Sequence, residues 1–186
     1  MDDHEYSPRA QQILDAAERH MRRGGYDAVS YRDLASDVGI KSASVHHHFP
    51  RKAALGEAVV NRYAHRLVDA LGAPDDPGAA PKARVEKLCS VYRRALVDED
   101  AVCLCCVLGA EGRDLPAPVA AAVENFYLRL LDWTQIALES GRKGRARAPA
   151  AAEVVSTLQG AMVLAIAVGQ STHFDDVAAS LIQRVS

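Results

Sequence analysis

Two short runs concentrate side chains able to do chemistry. One is His46-His47-His48, imidazoles that can titrate, hydrogen-bond or bind a metal. Adjacent helical residues point about 100° apart, so three in a row cannot converge on one ion. They give either a solvated face with one packed ring or a surface that contacts a polar partner. The other run is Cys103-Leu104-Cys105-Cys106, whose clustered thiols do not read as a zinc site. Three readings stand: small buried hydrophobes, a thiol sensor of oxidants or electrophiles, or a soft-metal sensor helped by Cys89. No G-x-S-x-G, Walker loop or H-E-x-x-H occurs, so the motifs of acyl, phosphoryl and zinc hydrolytic chemistry are missing. Glu111 and Asp114 are close in sequence, which alone does not make an acid–base pair. The expectation is a non-enzyme without cofactor or resident metal.

The elements that must position these residues are helical. Hydrophobic residues make up 49% of 186 and aromatics 5%, a core built from Ala, Leu and Val that favours helix over strand. No contiguous apolar run reaches the ~18 residues of a membrane span. The acidic start Asp2, Asp3, His4 and Glu5 is the opposite of a signal peptide, so a cytoplasmic protein is expected. There four cysteines argue against a disulfide framework. The net charge of −2 does not announce a nucleic-acid partner. Within residues 7–52, however, Arg9, Arg19, Arg22, Arg23, Arg32, Lys41, Arg51 and Lys52 outnumber Asp15, Glu18, Asp27, Asp33 and Asp37. That balance permits DNA binding if the acids, including the tail Asp2 to Glu5, face away from it.

The histidines fall in residues 39–52, G-I-K-S-A-S-V-H-H-H-F-P-R-K. Gly39 can end one helix and turn the chain sharply. Ser42 and Ser44 offer cap oxygens for a second short helix, with Phe49 on its apolar side and Pro50 stopping it. Upstream, Ser30 with Asp33 forms a capping-box variant opening a helix that faces Leu34, Ala35 and Val38 inward. Two short helices joined by a glycine turn make a helix-turn-helix, whose second helix enters the DNA major groove. That helix would expose Ser42, Ala43, Ser44, His46 and His47. Lys41 and Lys52 suit phosphate contacts.

The run S-Y-R-D-L-A-S-D-V-G-I-K-S-A-S-V-H-H-H-F-P-R-K-A-A-L, with I-L-D-A-A-E-R-H-M-R-R-G-G-Y-D-A-V-S before it, resembles the TetR/AcrR family of bacterial transcriptional regulators. Tyr26, Gly39, Phe49 and Lys52 carry the likeness, which covers about the first third of the chain in detail. His46 stands where the family usually has a tyrosine. Lys41 stands where a small capping residue is usual, which moves the cap to Ser42. The resemblance implies an all-α protein: a helix-turn-helix domain over 1–52, a connecting helix over 51–71, and a helical ligand-binding and dimerisation domain over 72–186. It also implies a homodimer through the last two helices, a palindromic double-stranded operator, DNA contacts including Ser30 and Arg32, and release of a repressor by a small-molecule inducer. A thiol- or metal-responsive regulator, and a binding protein that has lost its DNA, are the alternatives.

The remaining chain reads as helices. Ser7-Pro8 starts one over 8–23, facing Ile13, Ala16, Ala17, His20 and Met21 inward. A second, over 51–71, repeats Leu55, Val59, Tyr63, Leu67 and Leu71. Residues 72–81 form a Pro- and Gly-rich loop. Further helices are predicted over 81–97, 101–111, 116–140, 149–168 and 175–185, with an exposed basic loop at 141–149. The helix over 149–168 is apolar nearly all round and must be covered on more than one side, and a partner subunit is an economical cover. Tyr92, Phe126, Tyr127, Trp133, Leu158, Gln159 and Met162 offer aromatic walls and a few polar handles, either as plain core or as a ligand cavity. With Cys103 they are the candidate ligand-binding set.

Overall fold

The computed structural model describes residues 6–76, 78–138 and 147–184. The acidic tail Asp2 to Glu5 and most of the basic loop, including Gly141, lie outside the described residues. Among those described there are nine α-helices and no strand: α1 (Pro8–Gly24), α2 (Tyr31–Val38), α3 (Ser42–His48), α4 (Lys52–Leu71), α5 (Pro81–Asp98), α6 (Leu104–Glu111), α7 (Ala117–Ala137), α8 (Arg147–Val168) and α9 (Thr172–Arg184). One 3-10 turn, Gly112–Asp114, follows α6.

Local chemistry sets most boundaries. Ser7 Oγ accepts the Ala10 N–H at 3.3 Å and Pro8 opens α1, a helix start that satisfies one orphan donor. Gly39 ends α2 at φ 68°, ψ 40°, in the left-handed region where a side chain would strain the backbone. Pro81 opens α5. Asp100 takes φ 47°, so the chain turns before α6 and residues 101–103 are not helical. The helix expected from 101 therefore starts at Leu104, and its Gly109 and Ala110 are exposed.

The chain divides into two compact units. The first runs to Arg66 and takes in Leu104–Phe126. Here α1 packs on α2 and α6, and α2 on α3. Ile13, Leu14, Ala16, Ala17, Met21, Leu34, Val45, Phe49, Leu55 and Val59 form its core. His20, expected inward, is instead part-exposed and pairs with Asp37 on α2 at 2.8 Å, since an imidazole that reaches an acceptor at the rim loses less than one desolvated in the core. The second unit comprises Leu67–Cys103 and the chain from Tyr127 onward, with α8 packed on α9 and both on α5. Val85, Leu88, Tyr92, Leu96, Leu130, Trp133, Leu158, Met162, Phe174 and Leu181 are buried there.

Helix α8 corrects one expectation. Its segment Ala150–Val168 has mean hydropathy 1.7 and is long and apolar enough, by length and composition, to cross a membrane, with 44% of it buried. Counting contiguous apolar residues missed this because Glu153, Ser156, Thr157 and Gln159 interrupt the run. Val154, Val155, Leu158 and Met162 face the core, whereas Val163, Leu164, Ile166 and Val168 are exposed.

Candidate nucleic-acid interface and effector core

Helices α2 and α3 form a helix-turn-helix closed by a few specific contacts. The Gly39 N–H reaches back to Ala35 and Ser36 carbonyls, and the Ile40 N–H to Ala35 O at 2.9 Å. Val45 is fully buried. Phe49 ends α3, its N–H on Val45 O. Tyr31 Oη donates to Phe49 O at 2.7 Å, pinning the start of α2 to the end of α3. Burial, then the neighbouring Tyr26, pushes the Tyr31 phenol above its ordinary value, so it stays a donor.

This scaffold leaves Ser42, Ala43, His46 and His47 exposed on α3, flanked by Arg32, Lys41 and Arg51. Ser44 and Ser30 are half-buried. Two cap assignments are corrected. Ser30 stands at the N-cap of α2 but its hydroxyl makes no capping bond. Lys41, with extended backbone, is the N-cap of α3, and Ser42 is already its first helical residue. The His46 ring lies 4.5 Å from that of Tyr31. Lys52 is engaged within the chain, its ammonium 4.5 Å from the centre of the Tyr26 ring and 3.6 Å from Asp27.

Two acids of this unit, Asp15 and Glu18, are taken up by pairs that sequence reading missed. Asp15 and Glu18 on α1 face Arg62 and Arg66 on α4: Arg62 Nη2 meets Asp15 at 2.5 Å, and Arg66 meets Glu18. Glu18 and Arg62 are both buried. The available signal was spacing: acids three apart on one helix and arginines four apart on another each share a face. A second link joins α6 to α1. Glu111 Oε1 accepts the Tyr26 N–H at 2.9 Å. Its carboxylate also fills the space beside Gly25, where a Cβ would collide with it.

In the second unit, uncharged polar groups from three helices meet on one amide. Tyr127 Oη of α7 donates to Gln159 Oε1 of α8 at 2.7 Å. Gln159 Nε2 donates to Tyr92 Oη of α5 at 3.3 Å and lies 4.0 Å from Cys103 Sγ. Leu158 and Met162 are buried beside Gln159 in sequence. The structure thus brings four of the candidate ligand residues together. Trp133 is buried with its indole N–H on Gly72 O at 2.7 Å. Phe126 belongs to the first unit, its ring 6.0 Å from Tyr63.

Among the thiols, Cys89, Cys103 and Cys105 are buried and Cys106 is half-buried. Burial pushes the Cys89 thiol up to about 11, against a smaller opposing backbone hydrogen bond. Among the described residues no three His, Cys, Asp or Glu are grouped to hold a metal ion, which removes the geometric basis for a Cys89-assisted metal site there. Cys103 and Cys106 stand three apart around the start of α6, the C-x-x-C spacing.

A helix-turn-helix built on a three-helix core, followed by a larger helical body, defines a DNA-binding transcription regulator. The sequence model of bacterial regulatory proteins of the tetR family matches residues 13–59. A TetR-family transcriptional regulator from Agrobacterium tumefaciens is 30% identical over 96% of this chain and 97% of its own, with a TM-score of 0.88. A TetR transcriptional regulator from Legionella pneumophila is 25% identical over 97% and 99%, with a TM-score of 0.90. The transcriptional regulator FadR from Bacillus subtilis, solved in complex with stearoyl-CoA, shares the fold at 15% identity over 94% and 96%, with a TM-score of 0.76. No curated protein matches the chain. The chain belongs to the TetR family, whose matched members are transcriptional regulators and not enzymes.

Proposed function

We propose that the protein is a repressor that binds a palindromic operator as a homodimer and is released by a small, largely apolar, uncharged effector. The observation that carries this reading is the outward face of α3. Ser42, Ala43, His46 and His47 are exposed on a helix whose opposite side is locked by Val45 and Phe49. Hydroxyls and imidazoles can read base edges or phosphates, and an alanine methyl can approach a thymine methyl. Lys41, Arg32 and Ser30 are assigned to the backbone. Ser44 completes the set, and Lys52 steadies Tyr26 and Asp27 as well as reaching phosphate. Residues 1–52 then make the DNA-binding domain, 51–71 the connecting helix and 72–186 the effector and dimer domain.

Support for the dimer comes from α8, whose Gly160, Val163, Leu164 and Ala167 are exposed along one side. A second copy, meeting it through α8 and α9, covers that side as a four-helix interface. Support for the effector comes from the neutral cluster on Gln159. An amide and two phenols recognise a hydrogen-bonding group without requiring charge. Leu158, Met162 and Trp133, buried in the same unit, are assigned as apolar lining. A regulator of this kind works in the cytoplasm.

A gel-shift titration against the upstream region of its own gene, at low and moderate salt, tests the reading. The expected result is a specific shift by a dimer whose affinity falls steeply with salt, because phosphate contacts release counterions. Substituting His47 and Lys41 together with alanine weakens it. Binding that ignores sequence, or survives both substitutions, overturns the assignment of α3.

A further inference from the structure

We propose that the head binds its operator together with protons: His46 and His47 meet DNA phosphates as imidazolium cations, so that acid tightens repression. Imidazole is the side chain that ordinarily changes charge between about pH 5 and 8, and three stand consecutively in the last turn of α3. His46 and His47 are exposed and His48 is half-buried. Adjacent positions on a helix point about 100° apart, so the two exposed rings reach different phosphates rather than one.

His20 supplies the contrast. On α1 it meets the Asp37 carboxylate at 2.8 Å, so its charge is engaged inside the head. Among the described residues, none of His46, His47 and His48 is paired with a carboxylate. Their neighbours are rings: His46 lies 4.5 Å from Tyr31 and His47 5.6 Å from His48, centre to centre. Tyr31, anchored through its hydroxyl to Phe49 O, sets where the His46 ring stands. The surrounding charge is mostly positive. Helix α3 carries no acid. Helix α2, packed against it, brings Arg32, the exposed Asp33, and Asp37, which His20 holds. Lys41, Arg51 and Lys52 flank the ends of α3, with Lys52 turned to Asp27 and Tyr26. A phosphate therefore brings the anion that the head itself does not supply to these rings.

The direction follows from linkage. A phosphate attracts a protonated ring more than a neutral one, so bound DNA raises the number of protons held. By reciprocity, protons raise the affinity for DNA. Affinity climbs as pH falls from about 8 to about 6, and levels off once the rings are charged with or without DNA. His47 and His48 are close enough for two charges to repel, so each α3 takes up about two protons, one at His46 and one at the His47–His48 pair. Exposed charge pairs contribute about threefold each, which makes roughly tenfold per α3. Each phosphate contact also steepens the fall of log affinity with log salt by about 0.9. This regulation of the DNA site rests on the repressor reading above.

The test is fluorescence anisotropy of a rhodamine-labelled duplex of the upstream region, titrated with the full chain at about pH 6, 7 and 8, each over a range of salt. Wild-type affinity is expected to be at least about tenfold higher at the acid end, with a salt dependence steeper there by about two for each α3. The joint variant His46→Gln, His47→Gln loses both changes. The joint variant His46→Arg, His47→Arg, whose charge is fixed, keeps the steep salt dependence throughout and loses the pH response. His20→Gln responds to pH as the wild type does. Wild-type affinity that varies by less than about twofold across the range overturns the proposal, as does a glutamine variant that still tightens in acid. A pH response without any change in salt dependence overturns the phosphate contacts. Each of these results leaves the repressor reading standing, whereas failure to bind the duplex at any pH and salt overturns both.

Discussion

Where α1 meets α4, two carboxylates face two guanidinium groups. Where α5, α7 and α8 meet, two phenols face one amide. The first arrangement fixes a geometry, because breaking a buried ion pair strands a charge away from water. The second is neutral and can exchange one hydrogen-bond partner for another at small cost. The ion pairs of the second unit, Arg93–Asp175 and Arg184–Glu153, are exposed and specify little. The contrast suits the roles assigned to the two regions. A head that reads DNA must keep its helices in register, and a body that admits an effector must be able to repack.

The comparison is most exposed to attack at Arg62. Arg62→Ala is expected to lower the unfolding free energy by about 1.5–3 kcal/mol, since it removes a buried guanidinium and its bond to Asp15 while Glu18 keeps Arg66, as read by urea denaturation. A loss under about 1 kcal/mol would mean that apolar packing holds the head and that its charges are incidental. Next comes Gln159→Leu, expected to cost roughly 1–2 kcal/mol through loss of the hydrogen bonds its amide makes with Tyr127 and Tyr92. Operator affinity should stay as in the wild type, and the effector response should fall. A variant that unfolds outright would erase the distinction between the two regions. Gly39→Ala is expected to cost about 1 kcal/mol, because φ is 68° but no atom lies within 4 Å of the added carbon. Thermal denaturation measures it. Smallest is Arg184→Ala, within about 0.5 kcal/mol, as its pair with Glu153 is exposed on both sides. A larger loss would show that the second unit also relies on charge.

What the sequence disclosed follows the range of the interactions. Gly39, Pro50, Val45 and Phe49 act within a few residues of one another, so the helix-turn-helix was legible. So was the buried stripe Leu55, Val59, Tyr63, Leu67 and Leu71. Cap chemistry misled at Ser30, which makes no side-chain capping bond, and at Ser42, which lies one residue inside its helix. The start of α6 misled because the apolar pattern runs through Ala101 and Val102 while Asp100 turns the backbone. Pairs distant in sequence were invisible: Arg62 with Asp15 is 47 residues apart and Glu111 with Tyr26 is 85. Within the candidate effector set, residue type suggested Tyr92, Tyr127 and Gln159. Nothing local indicated that one amide would gather them, or that Phe126 would fall in the other unit.

Trp133 is the only tryptophan of the chain, and it is buried with its indole N–H on the carbonyl of Gly72. The protein therefore carries a single intrinsic fluorophore, seated in the second unit at the exit from α4. Its emission should resemble that of an indole in an apolar medium and shift to the red on unfolding. Because no other indole contributes, changes in its intensity can follow effector titration in real time on unlabelled protein.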